Sequence, residues 1–258
     1  MTDFNKTYNE ELFPELSSYN RAVNYPYFAP DYPFSFYKGR FVKDICFNLE
    51  NRIPILSVGS NRSPYQLKRK FSLDEDICVT PAKLFDSDIV YAASISAYGS
   101  LPATQWPSEG TIVDLNVLWL KEEQLNTMHL TEAVGVAYHF VKLQKGSVKL
   151  RDLEYSGYIY GYVSLAGVMP LNGKVPKRLS VIRGSNTNLN SIDEQGALTS
   201  LMNILENKKQ TLSNWIEVVT NNNAYRLKLL KKLKSMGIKV KNPNWKVVKV
   251  KKNGDLII

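Results

Sequence analysis

The chain has 258 residues, 44% of them hydrophobic, and a net charge of +9. That much apolar material supports one large core, or a core with a smaller appendage, and excludes disorder throughout. No run of about 18 uncharged apolar residues occurs, so no membrane-spanning helix is expected, and the opening Met1-Thr-Asp-Phe-Asn-Lys6 lacks the basic and apolar regions of a secretory signal, so a cytoplasmic location is expected.

Residues 10–40 interleave Pro14, Pro26, Pro30 and Pro33 with nine aromatic residues from Phe13 to Tyr37. Proline at this density opposes a regular helix while the aromatics favour burial, which predicts an ordered, extended arm lying across a core. Ile53-Pro-Ile-Leu-Ser-Val58 reads as a buried strand broken by Gly59-Ser60-Asn61. Ser63 then caps a helix with Pro64 at its first position. A strand, a glycine turn and a helix start leave several N–H groups unpaired at one point, which suits a carboxylate or another anion.

Further strands are expected at 77–84, 88–96, 111–119, 135–143 and 156–165, with a short helix at 121–132. Residues 170–196 read as loop, helices follow at about 194–207, 211–220 and 224–236, and Asn253-Gly254 suits the turn of a terminal hairpin. The two cysteines, Cys46 and Cys78, sit in strand-like apolar contexts without CxxC spacing, and the only histidines are His129 and His139. Buried thiols are expected, with no metal site and no cofactor. His129 reads as a helix-surface or packing residue, and His139, next to Tyr138 on a strand, should face the opposite side from it.

The order of parts over roughly 53–165 resembles the γ-glutamyl cyclotransferase family, including its AIG2-like branch. The family opens with a strand and a Tyr-Gly-Ser-Asn-Leu loop, matched here by Val58-Gly59-Ser60-Asn61-Arg62. A small-residue loop and Pro-Ser-x-Gly turn follow, matched by the stretch from Tyr98 to Thr111. Then come a strand and a helix ending on glutamate, matched by Val117 to Glu132, with Gly135-Val136 and Tyr138 after it. Val58 stands where the family has tyrosine, and Arg62 where it has leucine. The resemblance implies an α+β fold built on a small mixed β-barrel spanning 51–170, with an N-terminal arm at 1–50 and an extension of loop, helices and basic hairpin at 171–258.

It also implies a reaction. In a γ-glutamyl amide the α-amine attacks the γ-carbonyl of the same molecule, closing 5-oxoproline and releasing an amine. Positioning supplies much of the rate, and one carboxylate can move the proton from the ammonium to the leaving nitrogen. The resemblance gives that role to Glu132, in an apolar pocket that raises its pKa. It gives substrate binding to Val58, Gly59, Ser60, Asn61, Arg62 and Tyr138, with main-chain N–H groups holding a carboxylate or oxyanion. A binding protein that keeps this fold without the reaction is the alternative. No Gly-x-Ser-x-Gly elbow, Walker lysine or dinucleotide glycine loop is present.

The positive charge is local. Residues 224–258 hold eleven Lys or Arg and one acid, Asp255, whereas 1–223 is close to neutral. With Tyr225 and Trp245 among them, these cations are candidates for a nucleic-acid or acidic-partner surface, against the alternative of a solvated, solubilising face.

Overall fold

The computed structural model describes residues 16–38, 40–43, 49–171, 173, 175–205 and 210–250. The chain runs α1 (Ser18–Val23), β1 (Phe34–Tyr37), β2 (Arg40–Lys43), β3 (Ile53–Ser57), a 3₁₀ turn (Ser60–Arg62), α2 (Pro64–Lys70), β4 (Asp76–Tyr91), β5 (Ala103–Leu120) and α3 (Glu122–Thr131). It continues with β6 (Tyr138–Leu143), β7 (Val148–Leu150), β8 (Tyr160–Ser164), β9 (Arg178–Leu179), β10 (Gly184–Ser185), β11 (Ser191–Ile192), α4 (Glu194–Ile204), α5 (Leu212–Asn221), α6 (Asn223–Met236) and β12 (Trp245–Val247).

The central strands divide their residues between two cores with a period of two, as a pleated sheet buried on both faces requires. Ile55, Ile77, Val79, Leu118 and Leu120 pack with Leu67 of α2 and Leu125 and Met128 of α3. Their neighbours Leu56, Cys78, Val117 and Trp119 belong to the larger core, which contains Ala22 of α1, Leu198 and Leu201 of α4, Trp215 and Ile216 of α5 and Leu233 of α6. This is an α+β fold with a large mixed sheet.

The sheet order is β11-β9-β4-β5-β3-β8-β6-β12, with β1 and β7 also on β4, β10 on β5, and β2 on β1. β3 and β8 pair in parallel, whereas β4 and β5 form a long antiparallel hairpin. Among the described residues the path does not close on itself, so the small mixed barrel expected from the sequence is not shown. Strands come from all three stretches of the chain: β1 from the N-terminal arm, β3 to β8 from the middle, and β9 to β12 from the C-terminal stretch.

Several elements differ from expectation for visible reasons. The strands expected at 77–84 and 88–96 are one strand with a register shift between Phe85 and Ser87, where Asp86 takes φ +54°. Its partner strand starts at Ala103, well before 111, and Pro107 is accommodated opposite Ser87, next to that bulge. The arm contains a regular helix after all, in the proline-free stretch Ser18–Val23, with the Ser17 side chain accepting from the Asn20 N–H at 3.2 Å. Past that helix the arm is ordered as expected, and Tyr25, Tyr27, Phe34 and Phe36 are buried. Ser63 stands at the start of α2 with Pro64 after it, but its carbonyl rather than its hydroxyl serves the first turn.

Cys78 is disulfide-bonded, which corrects the expectation of a buried thiol. Cys46 and the Asn253-Gly254 turn lie outside the described residues. Among the described residues no helix is long and apolar enough to cross a membrane.

Candidate active site

β3 ends at Ser57, paired with Asn116 of β5, and the chain leaves the sheet through Val58 and Gly59 into the 3₁₀ turn. Glycine is required at 59 by space. A Cβ there would overlap Tyr25 Oη and come within 3.3 Å of Ala103 Cβ. Tyr25 cannot easily retreat, since its Oη accepts the N–H of Ala103 at 2.7 Å and its ring is buried. Among the described residues, the N–H groups of Ser60 and Asn61 open the turn without a main-chain acceptor.

Glu132 approaches the same place from the other side. It closes α3 with helical dihedrals and its N–H on the carbonyl of Met128 at 2.9 Å. Ala133 and Gly135 then take positive φ (+48° and +83°), and the Gly135 N–H meets the Tyr138 carbonyl at 2.8 Å. This reversal returns the chain so that Tyr138, the first residue of β6, lies beside Glu132. The turn occupies 133–137, which is why β6 starts later than the expected 135.

Glu132 Oε1 accepts from Asn61 Nδ2 at 3.0 Å and pairs with the ammonium of Lys70, the last residue of α2. Both side chains of the ion pair are largely buried, Lys70 8% and Glu132 14% exposed. The other carboxylate oxygen, Oε2, makes no hydrogen bond among the described residues. The surroundings are therefore not the apolar pocket expected from the sequence, because an ammonium and an amide hold one face of the carboxylate.

These groups border a cavity of about 320 Å³. Four phenols line it: Tyr25, Tyr98, Tyr138 and Tyr162. Burial pushes all four above the ordinary tyrosine range; Tyr138 and Tyr98 raise Tyr25 further, and the charge of Glu132 raises Tyr98, Tyr138 and Tyr162. They stay protonated and can donate. Ser60 and Ser100 beside Tyr98 oppose the rise there, and Tyr162 Oη meets His129 Nδ1 at 2.9 Å. Tyr138 Oη makes no hydrogen bond among the described residues, so it is not a core tyrosine with its hydroxyl already bonded.

Three buried polar atoms on the cavity wall have no partner among the described residues: Ser57 Oγ, Asn61 Oδ1 and Gln66 Oε1. The amide of Asn61 is oriented by its bond to Glu132, which can only accept, so its free oxygen is an acceptor. A ligand entering here meets both unpartnered acceptors and phenol donors.

Of the residues expected at the site, Val58, Gly59, Ser60, Asn61, Glu132 and Tyr138 line this cavity. Arg62 does not. Its Nε donates to Asn116 Oδ1 at 2.9 Å and its side chain lines a second cavity. Lys70, Gln66, Ser57 and Tyr25 escaped the sequence reading. Gln66 and Lys70, four apart on α2, share one helix face, and their polar spacing after a glycine turn was the available signal; Tyr25 arrives from a distant segment and left none.

His129 is a packing residue, as the sequence reading favoured. It is buried, edge-on to Phe140 with ring centroids 4.6 Å apart, and burial pushes its imidazole down to about 4. His139 is on the opposite side of β6 from Tyr138 and outside the cavity. Among the described residues no three His, Cys, Asp or Glu side chains come together as metal ligands.

No protein-family model and no curated protein matches the chain. Two solved structures are similar to it at a TM-score of 0.36. One is a γ-glutamyl cyclotransferase, 16% identical, with 76% of this chain and 93% of that one covered. The other is an uncharacterized protein from Homo sapiens, 18% identical, with 77% and 94% covered.

Proposed function

We propose that the chain is a γ-glutamyl cyclotransferase-type enzyme, closing a γ-glutamyl amide to 5-oxoproline and releasing an amine, with Glu132 as the proton carrier. The observation that carries this reading is the convergence of Glu132 and the Gly59-Ser60-Asn61 turn on one cavity, joined by the 3.0 Å bond from Asn61 Nδ2 to Glu132 Oε1. The substrate ammonium suits the wall of Asn61 Oδ1, Gln66 Oε1 and Glu132, and its carboxylate suits the phenols.

In the reaction the α-nitrogen forms a bond to the γ-carbonyl carbon as the bond from that carbon to the leaving nitrogen breaks. Glu132 Oε2 takes one proton from the ammonium to free the attacking amine and returns it to the departing nitrogen; the ring nitrogen gives up a second proton as the lactam forms, and the released amine leaves with it as an ammonium. Lys70 and Asn61 hold Oε1, so the working oxygen is presented in one direction. The N–H groups of Ser60 and Asn61 and the phenol of Tyr138 are donors for the oxyanion.

The test is release of 5-oxoproline from a panel of γ-glutamyl amides by the native protein and by Glu132→Gln. The native protein is expected to turn over at least one, and the variant to lose about 10²- to 10⁴-fold in kcat when both are assayed below the variant's unfolding transition, where each is folded. Full activity in the variant overturns the mechanism. A second reading is favoured by one observation: the Lys70 ammonium already satisfies Glu132, as in a binding pocket without catalysis. Thermal shifts by γ-glutamyl compounds without any 5-oxoproline would select it.

A further inference from the structure

Consecutive residues of the 3₁₀ turn serve opposite sides. Asn61 faces the cavity of Glu132, whereas Arg62 lines a second cavity of about 300 Å³. The segment after Tyr25 is the partition: Tyr25 lines the first cavity, and Tyr27 and Phe28 line the second. Its far wall is Val181–Arg183, held by Arg178, whose Nη2 donates to the Ile182 carbonyl at 2.6 Å while its Nε pairs with buried Asp88 at 3.1 Å.

Arg62 is locked and uncommitted. Asn116 takes its Nε and in turn donates to the Pro30 carbonyl at 3.0 Å, so the guanidinium has a fixed direction. Its two terminal amino groups make no hydrogen bond or ion pair with any described residue. Burial lowers the group to about 10, opposed by the charge of Asp114, and it remains a cation at neutral pH. The carboxylates nearby are engaged elsewhere. Asp114 pairs with Lys83 at 2.7 Å, and Asp31 faces Arg183 at 3.7 Å while its carbonyl takes Arg151 Nη1 at 2.5 Å.

The opening carries apolar side chains that the core leaves out: Phe28 is 58% exposed and Val181 62%. A guanidinium fork with free amino groups matches an oxyanion in two-point contact, and the adjoining side chains match a hydrocarbon group. We propose that this second cavity binds a small organic anion, a carboxylate or phosphate monoester carrying an apolar group, anchored on Arg62 with Phe28 and Val181 against its hydrocarbon part. The site is separate from that of Glu132 and does not depend on the reaction proposed there.

The experiment is calorimetric titration at fixed ionic strength with benzoate, phenyl phosphate, inorganic phosphate and benzyl alcohol. Benzoate, phenyl phosphate or both are expected to bind the native protein, at least about ten-fold more tightly than inorganic phosphate, and benzyl alcohol is expected to give no heat. Whichever aryl anion binds more tightly names the head group. Arg62→Leu is expected to weaken binding about 10- to 100-fold, and Glu132→Gln to leave it unchanged. Should Arg62→Leu fail to fold, the exposed substitution Val181→Asp carries the same expectation of weakened binding. No binding of either aryl anion, inorganic phosphate binding as tightly as both, binding indifferent to these substitutions, or binding lost in Glu132→Gln overturns the proposal.

Discussion

Lys70, at the end of α2, and Glu132, at the end of α3, meet as a buried ion pair on the wall of the first cavity. Neither has an alternative charge partner among the described residues, and Lys70 Nζ otherwise touches only Met128 Sδ at 3.5 Å. Removing one member leaves the other charged and enclosed. Lys70→Met and Glu132→Gln are each expected to destabilise the fold, and the double variant less than the sum of the two. Urea denaturation of the four proteins should give a coupling of about 0.5–3 kcal/mol; additive effects would mean that the pair is not formed in solution.

Gly59 is expected to tolerate no side chain. Gly59→Ala should lower stability by about 1–3 kcal/mol, because the new methyl group strikes a phenol oxygen held by the main chain. In a Tyr25→Phe background the same substitution should be less damaging, since the obstructing oxygen is gone. Thermal melts of the single and double variants decide it: an unchanged penalty in the phenylalanine background would place the clash elsewhere.

Glu194 sets a pH dependence. It stands in the first turn of α4, buried, with Oε1 accepting the Leu101 N–H at 2.6 Å and Oε2 without a partner among the described residues. Burial pushes its carboxyl well above the usual carboxylate range, against the lowering effect of the Leu101 bond, and Asp193 adds to the rise. The folded state therefore holds this proton more tightly than the unfolded chain. Its contribution to stability is complete below the unfolded value of about 4.3 and is lost as pH rises toward the folded value. Glu194→Gln has no proton to lose, so its melting temperature relative to the native protein should climb between about pH 5 and pH 8. A constant difference across that range would contradict the assignment.

Much of the scaffold was legible because it obeys local rules. The run at 53–58, the glycine break and the proline-led helix gave β3, the turn and α2 at nearly the observed places, and the lysine-rich helix at 224–236 appeared as Asn223–Met236. The convergence of Glu132 with the Gly59 turn was legible through the order of segments. What the sequence hid is what long-range pairing decides. No local pattern says that β4 and β5 run continuously through a bulge, or that a phenol from residue 25 lies against Gly59. Arg62 was misplaced for a related reason, since the direction of a side chain on a one-turn helix depends on what receives it, here Asn116.

The aromatics of the basic stretch also turned inward. Trp245 is buried, and Tyr225 Oη accepts the indole N–H of Trp215 at 3.0 Å, which leaves exposed lysines rather than a stacking platform. These lysines sit on a segment with another duty. Trp245–Val247 pairs along β6 from Leu143 to Val141 and covers what would otherwise be the open edge of the sheet. Cutting the chain before Trp245 would bare a row of main-chain donors and acceptors, and a second molecule could pair along it. The edge is thereby passed to β12, only three residues long, with the exposed Lys246 in it and Lys249 just beyond, and a short, charged edge strand is a poor template for another chain.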